Sequence, residues 1–450
     1  MKKTLLFLFA LFAISFHSYS QWSAVSNGFN NDVNATCVYD NALYATGNFT
    51  LDGSASNALS HIARWNGTSW VSVGTGLDAN VKCMVVFNSE LYVGGDFANA
   101  GGSPASNIAK WNGTTWSSIG AGFNSTVRCL YVWNNELYAG GTFTMSGTTS
   151  IPRIAKLSGS TWEAVGGGAV GPVNAIIDYN GELIIGGIWY QPYVSKYNAS
   201  TMTFDDLNGL GGPDNEVTSL AVFRKQNVSN IVLWIGGKFN TPSPRLCTWT
   251  SSGGFTTSFN NFNSTAGGNV NVLLATSNYL FAGGGFTATV SSNNISRLAR
   301  YDGVTFWDSV GVTPNSDVNS LTPFNNSLVA GGKFTSIGAA GTANRVAWRD
   351  LSLVVDELNE EVLSIEFFPN PLIKNAMLII QTKSALLQPQ LKIFDLHGRE
   401  VSPDSETISV NPSTHELAYR IERSGFSAGI YFYQVTDEQK NIASGKFVIE

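Results

Sequence analysis

Charge is scarce in this 450-residue chain: Asp, Glu, Lys and Arg make up 13% of it, against a usual share of about 25%. The 26 basic residues are outnumbered by 32 acidic ones, for a net charge of −6. A basic face of the kind that neutralises phosphates has no source here, which argues against a nucleic-acid-binding protein. Histidine occurs only 4 times, and the 4 cysteines are too few to frame a chain of this length with disulfides. Long apolar runs are almost absent. The one clear run, Leu5 to Phe16, falls short of the roughly 20 residues that a spanning helix needs. The glycines follow no three-residue period, which excludes collagen. What is present is 43% apolar residues, 12% aromatics and 46 glycines, enough to bury a large core and incompatible with a disordered chain.

The ends carry their own signals. Lys2 and Lys3 precede the apolar run, and the small residues Ser18 and Ser20 follow it, so residues 1–20 read as a secretory signal cleaved between Ser20 and Gln21. No cysteine follows that point to take a lipid. Near residue 356 the charge density jumps: the last 95 residues hold 14 acids and 8 bases. Residues 356–363, opening with DELNEEV, read as a polar linker between a first domain at 21–355 and a second at 364–450.

A motif of one apolar residue, a short β-rich stretch and a Gly pair recurs as LYATGNF, LYVGGDF, LYAGGTF, LIIGGIW, LWIGGKF, LFAGGGF and LVAGGKF, opening at Leu43, Leu91, Leu137, Leu183, Leu233, Leu280 and Leu328. An anchor valine precedes each: Val33, Val81, Val127, Val173, Val217, Val270 and Val318. The leucine lies 10 residues after its valine in every copy but the fifth, where an insertion stretches the gap to 16. Within a copy, Val81 to Phe87, Leu91 to Val93, Asn107 to Trp111 and Thr115 to Ile119 read as four short strands. The Asn66-Gly67 and Asn112-Gly113 pairs, with Asp302-Gly303 as a near equivalent, predict tight type I′ hairpins between the third and fourth of them. Seven copies of a four-stranded unit predict an all-β, seven-bladed β-propeller. The seventh copy ends at Val346-Ala347-Trp348 without a fourth strand. Trp22-Ser23-Ala24-Val25 matches Trp116-Ser117-Ser118-Ile119, so the N-terminal strand is expected to complete the last blade and close the ring.

Leu91 to Gly95 followed by Trp111 and Trp116, and Tyr197 with Phe204, resemble the kelch family of propellers. The resemblance covers residues 22–350 and implies the fold but no single activity. The hairpin aromatics (Trp65, Trp70, Trp111, Trp116, Trp162, Trp348 and Trp22) recur in nearly every copy and are expected to pack blade on blade, like the Phe after each Gly pair, whose fourth-copy version is Trp189. The Gly pairs precede strands rather than helices, so close backbone approach is expected and not anion binding. Small residues two after each anchor valine, among them Cys83 and Cys129, are expected along the central channel. Both a pair of buried thiols and a Cys83–Cys129 bridge fit that placement.

Residues 364–450 show short strand-like runs (364–368, 376–381, 390–394, 417–421, 429–435 and 446–449) of a small antiparallel β-sandwich. Phe368-Pro369-Asn370-Pro371, then Leu391 to Val401 (LKIFDLHGREV), Gly429-Ile430-Tyr431 and a terminal Lys446-Phe447-Val448-Ile449 resemble the type A C-terminal sorting domain of the type IX secretion system of Bacteroidota. That resemblance implies Sec export, passage across the outer membrane, removal of the domain, and release or attachment at the cell surface. Its implied partner is the type IX secretion machinery, acting on residues 364–450.

Chemistry-bearing residues are few. His17 belongs to the leader, His397 and His415 to the second domain, and His61 alone falls in the propeller, which argues against a histidine metal site or a Ser-His-Asp triad there. Asp205/Asp206 and Asp214/Glu216 read as solvated charges of one long loop before Val217. Asp52-Gly53-Ser54 lacks the spaced acids of a calcium loop. No metal, cofactor or catalytic residue is expected. The candidate ligand contacts lie where the repeat breaks: only 8 residues separate Trp189 from Tyr197, against 16 from Phe49 to Trp65, placing Tyr190, Gln191 and Tyr193 on a shortened rim. Loops at 208–215 and 260–269 extend the same face. The expected function is a secreted or cell-surface propeller that binds a glycan or protein without catalysis. The alternative is an extracellular carbohydrate-active lyase or hydrolase on the same scaffold.

Overall fold

A computed structural model describes residues 22–350 and 362–449, except 190–192, 208–211, 225–230, 258–261, 263–267, 277–278, 291–292, 304–306 and 339–341 in the first range and 369–371, 373–374, 383–385, 396–399, 402–404, 412–414, 425, 428 and 438–439 in the second. The chain divides into two compact units, Met1–Leu351 and Ser352–Glu450.

The described residues of the first unit form seven four-stranded antiparallel sheets. Blade one comprises Val33–Tyr39, Ala42–Gly47, Ile62–Trp65 and Trp70–Ser72. The next five repeat this order along the chain. In the last, Val318–Phe324, Ser327–Gly332 and Val346–Asp350 are joined by the N-terminal strand Ser23–Ala24, with Ser23 opposite Trp348 and Ala24 opposite Ala347. Each innermost strand lies against that of the next blade, and Val318–Phe324 lies against Val33–Tyr39, so the circuit closes on itself. At the closure Asn319 donates to the Val33 carbonyl at 3.0 Å and the hydroxyls of Thr36 and Thr322 meet at 2.7 Å.

Local chemistry sets the hairpins. The two residues joining the first and second strands both have positive φ in Asp40-Asn41, Asn88-Ser89, Asn134-Asn135, Asn180-Gly181 and Asn325-Asn326, the type I′ geometry that Asn, Asp and Gly tolerate best. The expected type I′ turn at Asn-Gly does not form. Trp65 pairs with Trp70 and Trp111 with Trp116, which leaves the four residues 66–69 and 112–115 in each loop, too many for a two-residue turn. Gly67 and Gly113 have positive φ but their asparagines do not. Instead Asn66 Oδ1 accepts from the backbone N–H of Thr68 and Ser69, and Asn112 Oδ1 does the same for Thr114 and Thr115, an Asx turn.

Aromatic residues pack blade on blade. The fourth-strand indole donates to a carbonyl of the preceding blade: Trp70 to Val25, Trp116 to Val73, Trp162 to Ile119, and Trp22 to Val310 at 2.8 Å. The N-terminal strand therefore holds both of its neighbours, through the Trp22 indole on one side and the Val25 carbonyl on the other. The first glycine of each pair touches the next blade's anchor valine. A Cβ on Gly140 would fall 2.7 Å from Val173 Cγ1 and one on Gly331 2.5 Å from Val33 Cγ1, so close approach is indeed its role. Blade one instead carries Thr46, fully buried at that place.

All four cysteines are free. Burial pushes the Cys129 thiol up to about 12 and Cys37 up to about 11, and raises Cys83 and Cys247 as well. They are packing residues with little thiolate character.

The second unit holds two four-stranded antiparallel sheets. One orders Val362–Phe368, Asn375–Thr382, Glu416–Glu422 and Ser405–Asn411, and the other Glu400–Val401, Pro389–Phe394, Gly429–Asp437 and Lys440–Ile449. Leu378, Ile380 and Tyr419 of the first share one core with Ile393, Tyr433 and Phe447 of the second, as a sandwich requires. Ser405–Asn411 is a strand that the sequence reading missed. Its SETISVN carries only two apolar residues, so the alternation that marks a half-buried strand is weak.

Candidate functional site

The loops that join one blade to the next and those between the second and third strands lie on one face. In every blade the register shifts between the anchor valine and the residue two further on. The skipped residue is Asn34, Lys82, Arg128, Asn174, Thr218, Asn271 or Asn319, and all of these but Asn319 line a cavity of about 470 Å³ at the axial mouth. The small residues that the sequence reading set along the channel lie one place after this ring, opposite the first glycine in pairs such as Cys83 with Gly94 and Cys129 with Gly140.

Five of the ring residues reach the next blade's anchor carbonyl: Asn34 to Val81 at 2.8 Å, Asn174 to Val217 at 2.9 Å, Thr218 to Val270 at 2.5 Å, Asn271 to Val318 at 3.3 Å and Asn319 to Val33 at 3.0 Å. Bulged carbonyls that would otherwise stay unpaired are thereby satisfied. Lys82 and Arg128 depart from the pattern. Lys82 pairs with Asp96 at 3.6 Å, and Arg128 donates to Asn174 Oδ1 at 2.8 Å. The sequence reading did not single out this ring, although a polar residue between two apolar ones at the same place in every copy marked it.

The acids of this face are engaged. Glu216 pairs with Lys238 at 2.6 Å, Asp317 with Lys333 at 3.2 Å and Asp32 with Arg345 at 3.1 Å. Asp214 accepts the Asn240 N–H at 2.7 Å. Burial alone would raise its carboxyl, and hydrogen bonds to Asn240 and Thr241 bring it below the ordinary value. Asp52 is caged by Ser54, Ser56 and Asn57, a closed turn rather than an open cation loop. Asp205 and Asp206 belong to the strand Thr203–Asp206 and not to a loop, because Phe204 pairs with Tyr197 across the hairpin.

A second cavity, of about 380 Å³, opens in blade four between the turn 167–170 and the sheet, walled by Trp189, Phe204 and Ile185 with Ser195, Thr203 and Asp206 beside them. Comparison of the blades explains it. Four residues before the anchor valine stand Phe29 in blade one and Phe123 in blade three. Phe29 stacks on Phe49 at 4.1 Å and meets Trp70 at 4.7 Å, and Phe123 meets Phe143 at 4.0 Å and Trp162 at 4.8 Å. Blade six keeps the same trio, with Phe262 between Phe286 and Trp307 at 4.8 and 4.9 Å. Blades two, five and seven have Leu77, Pro213 and Pro314 four residues before the anchor valine, and blade four has the smaller Ala169, beside which the cavity lies with Trp189 and Phe204 in its walls. Next to it, Asn30, Asp78, Asn124 and Asn315 each accept two backbone N–H groups from the turn after the blade's Gly pair. Blade four has Val170 there, 79% exposed, with no acceptor to offer. The smallest residue at the filler place and the missing turn clamp thus fall in the blade whose second loop is also the shortened one.

Of the candidate ligand contacts, Tyr190 and Gln191 lie outside the described residues, as do Ser20 and Gln21 at the expected cleavage point. Tyr193 has φ +62°, matching His61, Asn107, Arg153, Arg245 and Arg345 at the same place in other blades. Its carbonyl accepts the Gly187 N–H, as that of His61 accepts Gly47. The Tyr193 side chain packs against the cluster that joins blades four and five rather than lining the cavity. His61 is held likewise, with Nδ1 3.1 Å from the Gly47 carbonyl. Among the described residues no group of three or more His, Cys, Asp or Glu is placed to hold a metal, and no helix is long and apolar enough to cross a membrane.

Comparisons with known proteins find two family models that match parts of the chain and a solved structure that aligns with it. Residues 72–224 match the family model of the Rax2 C-terminal β-propeller domain, and residues 366–450 match that of the secretion system C-terminal sorting domain. Among solved structures, the extracellular domain of a protein described as a one-component system from B. thetaiotaomicron aligns at 12% identity and a TM-score of 0.49, over 81% of this chain and 46% of that one. The chain thus spans less than half the length of that relative. No curated protein sequence matches it. The chain is a β-propeller protein with a type IX secretion sorting domain at its C-terminal end, secreted to the cell surface or the extracellular space.

Proposed function

We propose that the propeller is a non-enzymatic extracellular binding module that takes a glycan or protein ligand on its loop face, at the rim of blade four. The observation that supports this is the blade-four cavity: an aromatic-walled space opens where the repeat combines the small Ala169, Val170 in place of a turn clamp, and a shortened second loop. Concave sites with apolar walls and a few convergent polar groups are the usual form of small-ligand pockets, at about 300–1,000 Å³. Tyr190 and Gln191 follow Trp189 in the sequence. The acids around the axial mouth are engaged in ion pairs and turn hydrogen bonds, and Asp206 is the one acid among the residues lining the blade-four cavity, whereas glycoside hydrolysis uses a pair of carboxyls. Delivery to the cell surface puts this face before environmental polymers.

Screening the secreted protein against a glycan array and a polysaccharide panel tests the reading. Saturable binding without product release is expected, weakened at least 10-fold by Trp189→Ala. Release of shortened or unsaturated products would transfer the protein to the carbohydrate-active enzymes.

A further inference from the structure

We propose that the vacant phenyl seat of blade four is a saccharide subsite, in which a pyranose ring of the ligand occupies the place that Phe29, Phe123 and Phe262 fill in blades one, three and six. The inference rests on the binding role proposed for this rim and adds its position and ligand class.

Three observations converge. In blades one and three the filler phenyl lies between a second-loop Phe and a fourth-strand Trp, at 4.0–4.8 Å from both. Trp189 and Phe204 stand at those two places in blade four, and both line the cavity beside Ala169. The walls alone would suit any flat apolar group, and the polar groups narrow the choice. Asp206 and the buried Ser195 line the same cavity. The neighbouring Asp205 is already committed to Asn198 and Thr203 at 2.7 and 2.8 Å. Strand alternation sends Asp205 and Asp206 to opposite faces, which leaves Asp206 as the acid of the cavity. A sugar ring carries an apolar C–H face for Trp189 and equatorial hydroxyls that donate to a carboxylate and a serine hydroxyl. An aromatic side chain of a protein partner would leave those polar groups without partners, at a cost of roughly 1–3 kcal/mol each once buried. Finally, the seat opens to solvent where Val170 replaces the clamp, which supplies an entry for one end of a chain.

The decisive variant restores the repeat. Ala169→Phe puts in the ring found in blades one, three and six. A filled vacancy adds buried contacts, so this variant is expected to keep or raise the melting temperature while losing binding, and unfolding cannot explain the loss. Asp206→Asn, on the exposed edge of the strand, is the second variant. The probes are methyl glycosides of glucose, galactose and mannose and their β-linked tetrasaccharides, titrated into the secreted protein and followed by tryptophan fluorescence and calorimetry. The expected result is binding of at least one tetrasaccharide, weakened more than 10-fold in Ala169→Phe and about 3- to 10-fold in Asp206→Asn. If Ala169→Phe destabilises the protein, Asp206→Asn alone decides, and unchanged affinity in it overturns the proposal. Tetrasaccharide binding that is unchanged in both variants removes the subsite but leaves the binding role. A parent protein that binds no saccharide and captures a protein ligand overturns the saccharide assignment alone. A parent that binds neither overturns both.

Discussion

Single residues in the bridging turns decide how each blade is finished. Asp78 illustrates the ordinary case. Burial would raise its carboxyl, but hydrogen bonds from Asn99 and the Ala98 N–H hold it below the usual value. A carboxyl held below its unfolded value, roughly 3.9, contributes stability that is complete above that pH and is lost as pH falls through the lower folded value. Asn30, Asn124 and Asn315 make the same bonds without a charge. Asp78→Asn should therefore leave stability at pH 7 within about 0.5 kcal/mol and flatten its decline below pH 4. Urea midpoints at pH 7 and pH 3 check this, and an equal decline in both proteins would show that Asp78 does not contribute. At this scale legibility was uneven. The packing role of the indoles followed from their recurrence. The axial ring at Asn34, Lys82 and Arg128 did not, because the bulge that turns these residues to the mouth depends on a register shift that no local propensity announces.

Among the elements, the N-terminal strand bears the most weight for its length. Two residues pair with Val346–Asp350, yet Trp22 is 1% exposed and donates to Val310, while Val25 accepts from Trp70. Trp22→Ala should cost about 3–5 kcal/mol, the range for deleting a buried large aromatic, measured by urea denaturation. A change under 1 kcal/mol would mean that the ring closes without this strand. The match between Trp22–Val25 and Trp116–Ile119 made this strand readable. The Asn-Gly hairpin was misjudged because the dipeptide rule ignores loop length, and the Trp65–Trp70 pairing fixes four residues in the loop. Ser405–Asn411 escaped because its few apolar residues give the sheet too little pattern to betray it.

For the molecule as a whole, a cadence near 47 residues and an ordered set of C-terminal motifs were enough to read a propeller with a secretion tail, because each signal is repeated or extended over many residues. The blade-four cavity was only half legible. Its shortened loop showed in the sequence, but the vacancy is the absence of a ring at Ala169, and an alanine in a glycine-rich turn means nothing until the sister blades show what belongs there. The most direct measurement is a crystal structure of the secreted protein soaked with the tetrasaccharide that it binds. The account predicts a pyranose ring between Trp189 and Phe204, with Asp206 Oδ within about 3 Å of a hydroxyl. A sugar seated over the axial mouth at Lys82 and Arg128, with the blade-four seat empty, would contradict it.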